Sequence, residues 1–399
     1  MNDHTRLVQF ESAPGDPFHP SNTPIYQTAT FAQESATEFG QYDYSRSGNP
    51  TRTILERQLA ALECPDDHDA RAFAFASGLA ALTAATRLLK PGDELVACDD
   101  LYGGSYRLFT KLLEPRGVVV RYVDFTDKSA LARAFTTRTR LIHFETPTNP
   151  LLRIVDIRAV VAAARAHAPE ARVLVDSTAM SPWLQRPLEL GADIVLHSAT
   201  KLLNGHGDVT AGALVVHDAA LAAELAFVQN AEGAGLGPFD SFLLLRGMKT
   251  LGVRIDRQQA TAQRVAEHLE SHPDVKEVFY PGLRGSEDRE LHARQSRGPG
   301  VVISFGTGSR EVSCVLVESL KLFPIAVSFG SVNSTASLPC CMSHASIPPK
   351  VRTQRRLPED LVRLSIGLEE AADLIADLNL AMTKARALGE LHAQEVHVA

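Results

Sequence analysis

Apolar runs of strand length alternate with helical segments from residue 54 onwards. An amphipathic segment at 54–63 precedes an apolar run at 72–76, and a helical segment at 78–89 leads to a second run at 94–97. Further strand candidates in this half of the chain lie at 118–123, 140–145, 171–177 and 193–198. These runs are nearly continuous in apolar residues, as in strands buried on both faces. The alternation predicts an α/β fold with a mostly parallel central sheet.

The pattern changes after a Gly-containing segment at 231–240. A helical stretch at about 241–271 predicts one long helix, and an amphipathic C-terminal helix is expected at 369–388. Strand candidates between these helices lie at 276–280, 301–306, 325–329 and 361–366. Fewer and more scattered strands predict a smaller α+β unit in this part of the chain.

The domain organisation that follows is an arm and two domains. Residues 1–50 are rich in Pro, Ser, Thr and Gly, which is typical of an extended arm rather than a packed unit. A large domain is expected at 51–250 and a smaller C-terminal α+β domain at 251–399. The length of 399 residues agrees with two to three domains of about 150 residues.

Composition and charge narrow the class of protein. The formal net charge is −7 and no run of basic residues occurs, so binding to nucleic acid or to a membrane surface is not expected. The five cysteines show no CxxC spacing, which favours a reducing compartment over a disulfide framework or a structural zinc site. No apolar run reaches about 18 residues and no targeting pattern begins the chain, so we expect a cytoplasmic protein.

One lysine follows a buried strand. Lys201 comes just after the strand candidate 193–198, beside the hydroxyls of Ser198 and Thr200. Open α/β sheets bind ligands at the carboxyl ends of their strands. A lysine desolvated there suits Schiff-base chemistry, and the hydroxyls can hold a phosphate. Alone, such a lysine is more often an exposed loop residue.

Two other strand ends carry complementary groups. Asp176 ends the run 173–178 and could pair with a protonated pyridine nitrogen, although it could equally be a cap or a structural ion-pair partner. Ser77 and Gly78 lie between a strand and a helix, where free N–H groups can bind a phosphate or simply form a capped turn. Together with Lys201, these groups predict a pyridoxal 5'-phosphate site.

Competing cofactor sites fit less well. No GxGxxG follows the first strands, and the GAGLG at 233–237 follows no clear strand. The GHGD at 205–208 with His197 lacks further ligands at metal-binding spacing, so no metal is predicted.

Longer motifs extend across nearly the whole chain. They include YDYSRSGNPTR (42–52), FASGLAAL (75–82), DDLYGGSYRLF (99–109), ETPTNP (145–150), HSATK (197–201) and RLSIG (363–367). In these motifs the chain resembles the cysteine/methionine-metabolism family of pyridoxal-phosphate enzymes, and 328–348 is most similar to plant-type cystathionine β-lyases. The resemblance implies a fold-type I transferase architecture, like that of aspartate aminotransferase.

The resemblance also implies roles around the cofactor. Lys201 would bind the cofactor covalently and move protons, Asp176 would pair with its ring nitrogen, and Tyr102 would stack on the ring and take part in catalysis. The groups implied to bind the phosphate are the backbone of Gly78 and Leu79 and the hydroxyls of Ser198 and Thr200. Tyr44 and Arg46 would reach the phosphate of a neighbouring subunit, which implies a homotetramer built as a dimer of dimers with shared active sites.

Substrate binding is implied for a further group of residues. Arg363 would bind the α-carboxylate of a small amino acid through two parallel hydrogen bonds. The residues implied to line the same pocket are Asn149, Ser328, Arg107, Asp43 and Asn333. Asn333 stands where many γ-acting relatives carry Glu, and Asp43 is an acid that could serve a distal amine instead.

These features imply a pyridoxal-phosphate-dependent carbon–sulfur lyase. The expected reaction is β-elimination of cystathionine, or of a similar amino acid, to homocysteine, pyruvate and ammonia. The alternative is γ-elimination or γ-replacement, as in cystathionine γ-lyase, cystathionine γ-synthase or methionine γ-lyase, including reaction of an unusual γ-substituted or unsaturated amino acid. Ser177 and Leu79 depart from the family's usual Asn and Met, which leaves the substrate open. A regulatory protein that only binds the cofactor is a third reading, and Lys201 together with Arg363 argues against it.

Overall fold

The computed structural model describes residues 1–9, 16, 18–283 and 287–398. Strands in this part of the chain are β1 (Arg71–Phe75), β2 (Glu94–Cys98), β3 (Val119–Val123), β4 (Thr139–Glu145), β5 (Arg172–Asp176), β6 (Ile194–His197), β7 (Gly212–Val216), β8 (Glu277–Phe279), β9 (Val302–Gly306), β10 (Thr335–Ser337) and β11 (Leu361–Ser365). Helices in the same residues are α1 (Asp3–Val8), α2 (Pro50–Glu63), α3 (Gly78–Thr86), α4 (Gly103–Leu108), α5 (Lys128–Ala134), α6 (Ile157–His167), α7 (Ser181–Leu184), α8 (Ala219–Glu232), α9 (Pro238–Met248), α10 (Leu251–Ser271), α11 (Glu287–Gln295), α12 (Arg310–Ser319), α13 (Pro349–Gln354) and α14 (Ala371–Val398).

The larger sheet has the strand order β1-β7-β6-β5-β4-β2-β3. The strands from β3 to β6 in this order run parallel, whereas β7 pairs antiparallel with β6 and with β1. Its central strands are buried on both faces, as their apolar sequences require. The smaller sheet is antiparallel, in the order β10-β11-β9-β8. The expected mostly parallel sheet with a smaller α+β unit is therefore confirmed.

Helix α10 packs against both sheets' cores. Leu251 and Ile255 in its first turns belong to the core beneath the larger sheet, together with Val195 and Val215. Farther along, Leu269 packs in the core of the smaller sheet. The expected domain boundary near residue 250 falls at the start of this helix and stays a prediction.

The single helix expected at 241–271 is interrupted. Helix α9 ends at Met248 and α10 begins at Leu251. The carbonyl of Gly247 accepts hydrogen bonds from the Thr250 hydroxyl at 3.1 Å and from Nη2 of Arg254 at 3.0 Å. These side chains compete with continued helical bonding, which is why an apolar pattern alone missed the break.

Two strand assignments also differ from the sequence pattern. Residues 325–329 do not form the expected strand, because Ser328 has a φ of 86°, in the left-handed region that no regular strand uses. Instead this segment passes over a cavity described below. The pattern also did not predict β7, whose apolar run follows a glycine-containing turn and inserts antiparallel into the sheet.

The arm is not extended at its start. Residues 3–8 form α1, in which Leu7 is buried and Asp3 forms an ion pair with Arg186 at 2.9 Å. The expectation of an extended segment is therefore wrong for residues 3–8. The buried Leu7 side chain and the Asp3 ion pair hold this helix against the rest of the protein. Most of 20–47 has no regular helix or strand.

Candidate active site

A cavity of about 650 Å³ lies at the carboxyl ends of β4, β5 and β6, with β11 on its other side. This is the place where open α/β sheets bind ligands. The predicted site residues that line it are Gly78, Leu79, Tyr102, Arg107, Asn149, Asp176, Ser198, Thr200, Lys201, Ser328 and Arg363. The tertiary structure thus brings together residues that are up to 285 positions apart in the sequence.

Lys201 lies in the turn that follows β6, and its amine projects into the cavity. Burial and, to a lesser extent, the positive charge of Arg363 lower the pKa of Lys201 to about 8, although Asp176 acts in the opposite direction. The amine donates a short hydrogen bond to the Ser328 hydroxyl. A lysine with these properties carries an unprotonated fraction near neutral pH, as a nucleophile or a base requires.

Asp176 is the last residue of β5 and presents its carboxylate to the cavity. The backbone N–H of Thr178 donates to Oδ1 at 3.0 Å. Burial raises the pKa of Asp176, and the Thr178 hydrogen bonds oppose that rise. Within the described residues, no arginine, lysine or histidine lies within ion-pair distance of this carboxylate. A buried acid in this situation suits a cationic ligand group.

The N-terminus of α3 forms a second polar wall. The Ser77 hydroxyl caps the helix by accepting the N–H of Ala80 at 3.0 Å, while the N–H groups of the first turn have no acceptor within the helix. A Cβ at Gly78 would lie 2.8 Å from the Cβ of Ser198, so only glycine allows this close approach. The geometry suits an anion such as phosphate.

Thr200 is bound more tightly to the protein than the sequence indicated. Its hydroxyl donates to the carbonyl of Ala211 at 3.1 Å and accepts the Ala211 N–H at 2.9 Å. The Thr200 side chain still lines the cavity. Its hydroxyl proton is thus already engaged, whereas no such bond occupies the Ser198 hydroxyl in the described part of the chain.

Arg363 approaches from the middle of β11 and is almost completely buried. Nη1 donates to Oδ1 of Asn149 at 2.7 Å, and Nη2 donates to the carbonyl of Ser328 at 2.9 Å. Burial lowers the pKa of Arg363 to about 10. The guanidinium is therefore still cationic at neutral pH and is held rigidly, as binding of a carboxylate requires.

Glu145 and Phe329 are among the lining residues that had no role assigned from the sequence. Glu145, the last residue of β4, lines the cavity and accepts the backbone N–H of Tyr102 at 2.7 Å. The ring of Phe329 lies 5.5 Å from the Lys201 amine and also 5.5 Å from the Arg363 guanidinium carbon. Glu145 ends a buried strand just as Asp176 does, so the sequence did carry a signal for it. For Phe329 the pattern gave none.

Four predicted site residues do not line this cavity. Tyr44 and Arg46 are exposed, and Arg46 donates to Oδ1 of Asn230 at 3.3 Å and lies over the Tyr44 ring. Asp43 and Asn333 are also exposed. By contrast, Arg107 lies at the cavity and forms no ion pair or hydrogen bond with any described residue. Roles for these side chains stay predictions.

The residues present fit pyridoxal phosphate. The cavity combines a carboxylate without a cationic partner, a lysine of lowered pKa and a helix N-terminus suited to phosphate. The carboxylate can pair with the ring nitrogen of the cofactor, the lysine can react with its aldehyde, and the helix N-terminus can bind its phosphate. Tyr102, 38% exposed, also lines this cavity.

Other classes of site find no support in the described residues. No group of His, Cys, Asp and Glu side chains there could hold a metal ion. None of the helices in the described ranges has both the length and the apolar character to cross a membrane. The five cysteines are free thiols, of which Cys64, Cys98 and Cys340 are buried.

Several known proteins are similar to this chain in sequence and in fold. The chain is 55% identical over 366 residues to chloroplastic cystathionine beta-lyase of Arabidopsis thaliana, covering 92% of this chain and 78% of that protein. It is 46% identical to chloroplastic mimosinase of Mimosa pudica, covering 94% and 83%. The crystal structure of cystathionine gamma synthase from Xanthomonas oryzae pv. oryzae in complex with cystathionine matches with a TM-score of 0.93 and 38% identity, covering 97% and 99%.

The family description itself names the cofactor. The family described as Cys/Met metabolism PLP-dependent enzyme matches residues 4–383. Together with the structural match, this confirms the fold-type I architecture, the enzymatic nature of the protein and its use of pyridoxal phosphate. The chain belongs to the Cys/Met metabolism family of pyridoxal-phosphate-dependent enzymes.

Proposed function

We propose that this enzyme cleaves the Cβ–S bond of cystathionine, or of a closely similar amino acid, by β-elimination. The products are homocysteine, pyruvate and ammonia. The observation that carries the reaction class is the partly buried Lys201 amine, with its pKa lowered to about 8, in one cavity with Asp176 and Arg363. The choice of β-elimination is supported by the 55% identity to a cystathionine beta-lyase.

Each wall of the cavity has a separate task in this proposal. Arg363, held by Asn149 and Ser328, binds the substrate α-carboxylate and orients the Cα–H bond. Asp176 keeps a negative charge against the cofactor's ring nitrogen, and the α3 N-terminus with Ser198 holds its phosphate. When bound, pyridoxal phosphate supplies an electron sink that makes the Cα proton acidic.

Lys201 moves the proton. Its free amine takes the proton from Cα, the Cβ–S bond breaks, and the sulfur leaves with the bonding electron pair. The Lys201 ammonium can return the proton to that sulfur, which gives homocysteine. The remaining three-carbon enamine adds water and loses ammonia, which gives pyruvate. The Ser328 hydroxyl, already bonded to the amine, keeps Lys201 directed into the cavity.

The alternative is γ-elimination or γ-replacement on the same residues. It is supported by the structural match to a cystathionine gamma synthase at 38% identity. The relative named mimosinase supports a second variant, in which the substrate carries another leaving group. The two routes differ in which carbon–sulfur bond breaks, so their products separate them.

The test is product analysis with cystathionine. Pyruvate with homocysteine is the expected result. Formation of 2-oxobutyrate with cysteine would refute β-elimination in favour of the γ-route, and absence of turnover would favour a different leaving group. A Lys201→Ala variant in parallel controls for hydrolysis that does not depend on the site.

We also propose a homotetramer, built as a dimer of dimers with shared active sites, in the cytoplasm. Tyr44 and Arg46 are exposed and outside their own chain's cavity, which supports a role in a neighbouring subunit. Free, largely buried thiols support a reducing compartment. Mixing inactive Arg46→Ala and Lys201→Ala chains should restore part of the activity, and failure to complement would count against shared sites. Cell fractionation tests the location.

A further inference from the structure

Two carboxyl groups lie side by side at the carboxyl ends of β4 and β5. Glu145 and Asp176 are register partners in this parallel pair, and neighbouring strands lie about 4.8 Å apart. Both side chains line the cavity, and Glu145 is only 5% exposed. Carboxylates at paired positions on neighbouring strands of a buried site repel each other, which disfavours ionisation of both.

The surroundings of the pair are unequal. His197 and the Lys201 amine both favour the ionised form of Asp176, which also accepts the Thr178 N–H. Glu145 faces the carboxyl groups of Asp176 and Asp100 instead. Burial first, and then the charge of Asp176, raise the pKa of Glu145 well above its usual range.

Groups that favour an ionised Glu145 are also present. The backbone N–H groups of Tyr102 and Asn149 face its carboxyl. Arg363 is a cation that interacts with Glu145, but its guanidinium donates hydrogen bonds to the Asn149 side chain and to the Ser328 carbonyl. A neutral carboxyl can still accept these N–H groups through its carbonyl oxygen.

Glu145 is also the contact that fixes Tyr102. Its Oε1 accepts the Tyr102 N–H at 2.7 Å, at the start of α4. The Tyr102 ring packs over Gly104, where a Cβ would lie 2.3 Å from a ring carbon. The backbone position of Tyr102 therefore decides where the ring enters the cavity.

We propose that Glu145 is a positioning residue that keeps its own proton, fixes Tyr102 beside the cofactor and leaves the negative charge of the pair on Asp176. The proposal rests on the proposed site, in which Tyr102 and Asp176 face pyridoxal phosphate. It assigns Glu145 a task that a glutamine can perform and an alanine cannot. A residue that acts as an ionised carboxylate would lose its task in both variants.

The test compares Glu145→Gln and Glu145→Ala holoenzymes. Glu145→Gln keeps the acceptor oxygen, so we expect the visible circular dichroism of the bound cofactor and the pH midpoint of its absorbance to match the wild type. Glu145→Ala should reduce kcat by up to about 100-fold, since Tyr102 loses its anchor. The dichroism signal should fall with it.

Glu94 provides a matched control. It is a buried carboxylate, 1% exposed, at the opposite end of β2, where it pairs with Arg121 at 3.4 Å. Glu94→Gln should lower the midpoint of urea unfolding and leave the cofactor spectra unchanged. Infrared difference spectra should show a protonated carboxyl band that disappears in Glu145→Gln and persists in Glu94→Gln.

Specific outcomes would overturn the inference. A pH midpoint displaced by about one unit or more in Glu145→Gln would mean that wild-type Glu145 is ionised. Unchanged dichroism in Glu145→Ala would remove the positioning role. If Glu145→Ala does not fold, the spectra of Glu145→Gln and the infrared band still show whether Glu145 is protonated. Cofactor that remains covalently attached in Lys201→Ala would instead refute the proposed site itself.

Discussion

The two walls of the cavity are built in different ways. The sheet wall presents Glu145, Asp176 and Lys201 from the ends of parallel strands or the turn just after them. The opposite wall presents Arg363 from β11 and Ser328 from an irregular loop with a φ of 86°. The hydrogen bond from Lys201 to the Ser328 hydroxyl joins the walls, and the one from Arg363 to the Ser328 carbonyl holds the loop within the opposite wall. In the proposed mechanism, the groups that handle protons thus lie on a rigid frame, whereas substrate binding depends on a few contacts across the cavity.

Removing the Lys201 amine from the sheet wall should have the largest effect on activity. Lys201→Ala should lower turnover by at least about 10²–10⁴-fold, since general acid–base transfer is lost. Borohydride reduction followed by peptide mass spectrometry should find cofactor on Lys201 in the wild type and on no residue in the variant. Lys90→Ala, at an exposed lysine, is the control. Retained turnover in Lys201→Ala would contradict the assignment.

A change in the opposite wall should act on binding instead. Arg363→Lys keeps the charge but loses the planar pair of donors that now meet Asn149 and Ser328. We expect KM to rise roughly 10- to 100-fold, the cost of a lost hydrogen bond to a charged group. Initial rates against substrate concentration measure it. A fall in kcat at constant KM would show that Arg363 does not bind the substrate as proposed.

The coupling between the walls predicts a pH dependence. Because the pKa of Lys201 is lowered to about 8, covalent uptake of pyridoxal phosphate by the apo-protein should accelerate as pH rises to 8 and level off above it. Arg363 lowers this pKa and Asp176 raises it. Arg363→Met should therefore move the midpoint upwards and Asp176→Asn downwards. Stopped-flow absorbance measures the rate, and equal midpoints in all three proteins would contradict the coupling.

The smallest expected effect concerns the strained loop. Ser328→Ala removes the hydroxyl that meets Lys201, and Ser328→Gly removes it while also relieving the positive φ. Both variants should lose activity to a similar extent, yet Ser328→Gly should be more stable than Ser328→Ala by about 1 kcal/mol. Urea unfolding of the two variants tests this. Equal stability would mean that the loop stores no backbone strain.

Much of the fold and part of the site could be predicted because the relevant signals are local. Continuous apolar runs identified β4, β5 and β6, and polar groups just after such runs identified Asp176 and Lys201. The break between α9 and α10 could not be predicted from periodicity, because it depends on Arg254 bonding back to Gly247. Glu145 was passed over, although it ends its strand in the same way as Asp176.

The sequence by itself determined the α/β layout, the cofactor class and the family, since each depends on short motifs or on periodic burial. Only the tertiary structure decided which groups meet. It placed Ser328 and Arg363 against Lys201, paired Glu145 with Asp176 through strand register, and left Tyr44 and Arg46 outside their own cavity. The physical reason is that pKa values and hydrogen bonds depend on distances between residues far apart in the chain, which no local pattern encodes.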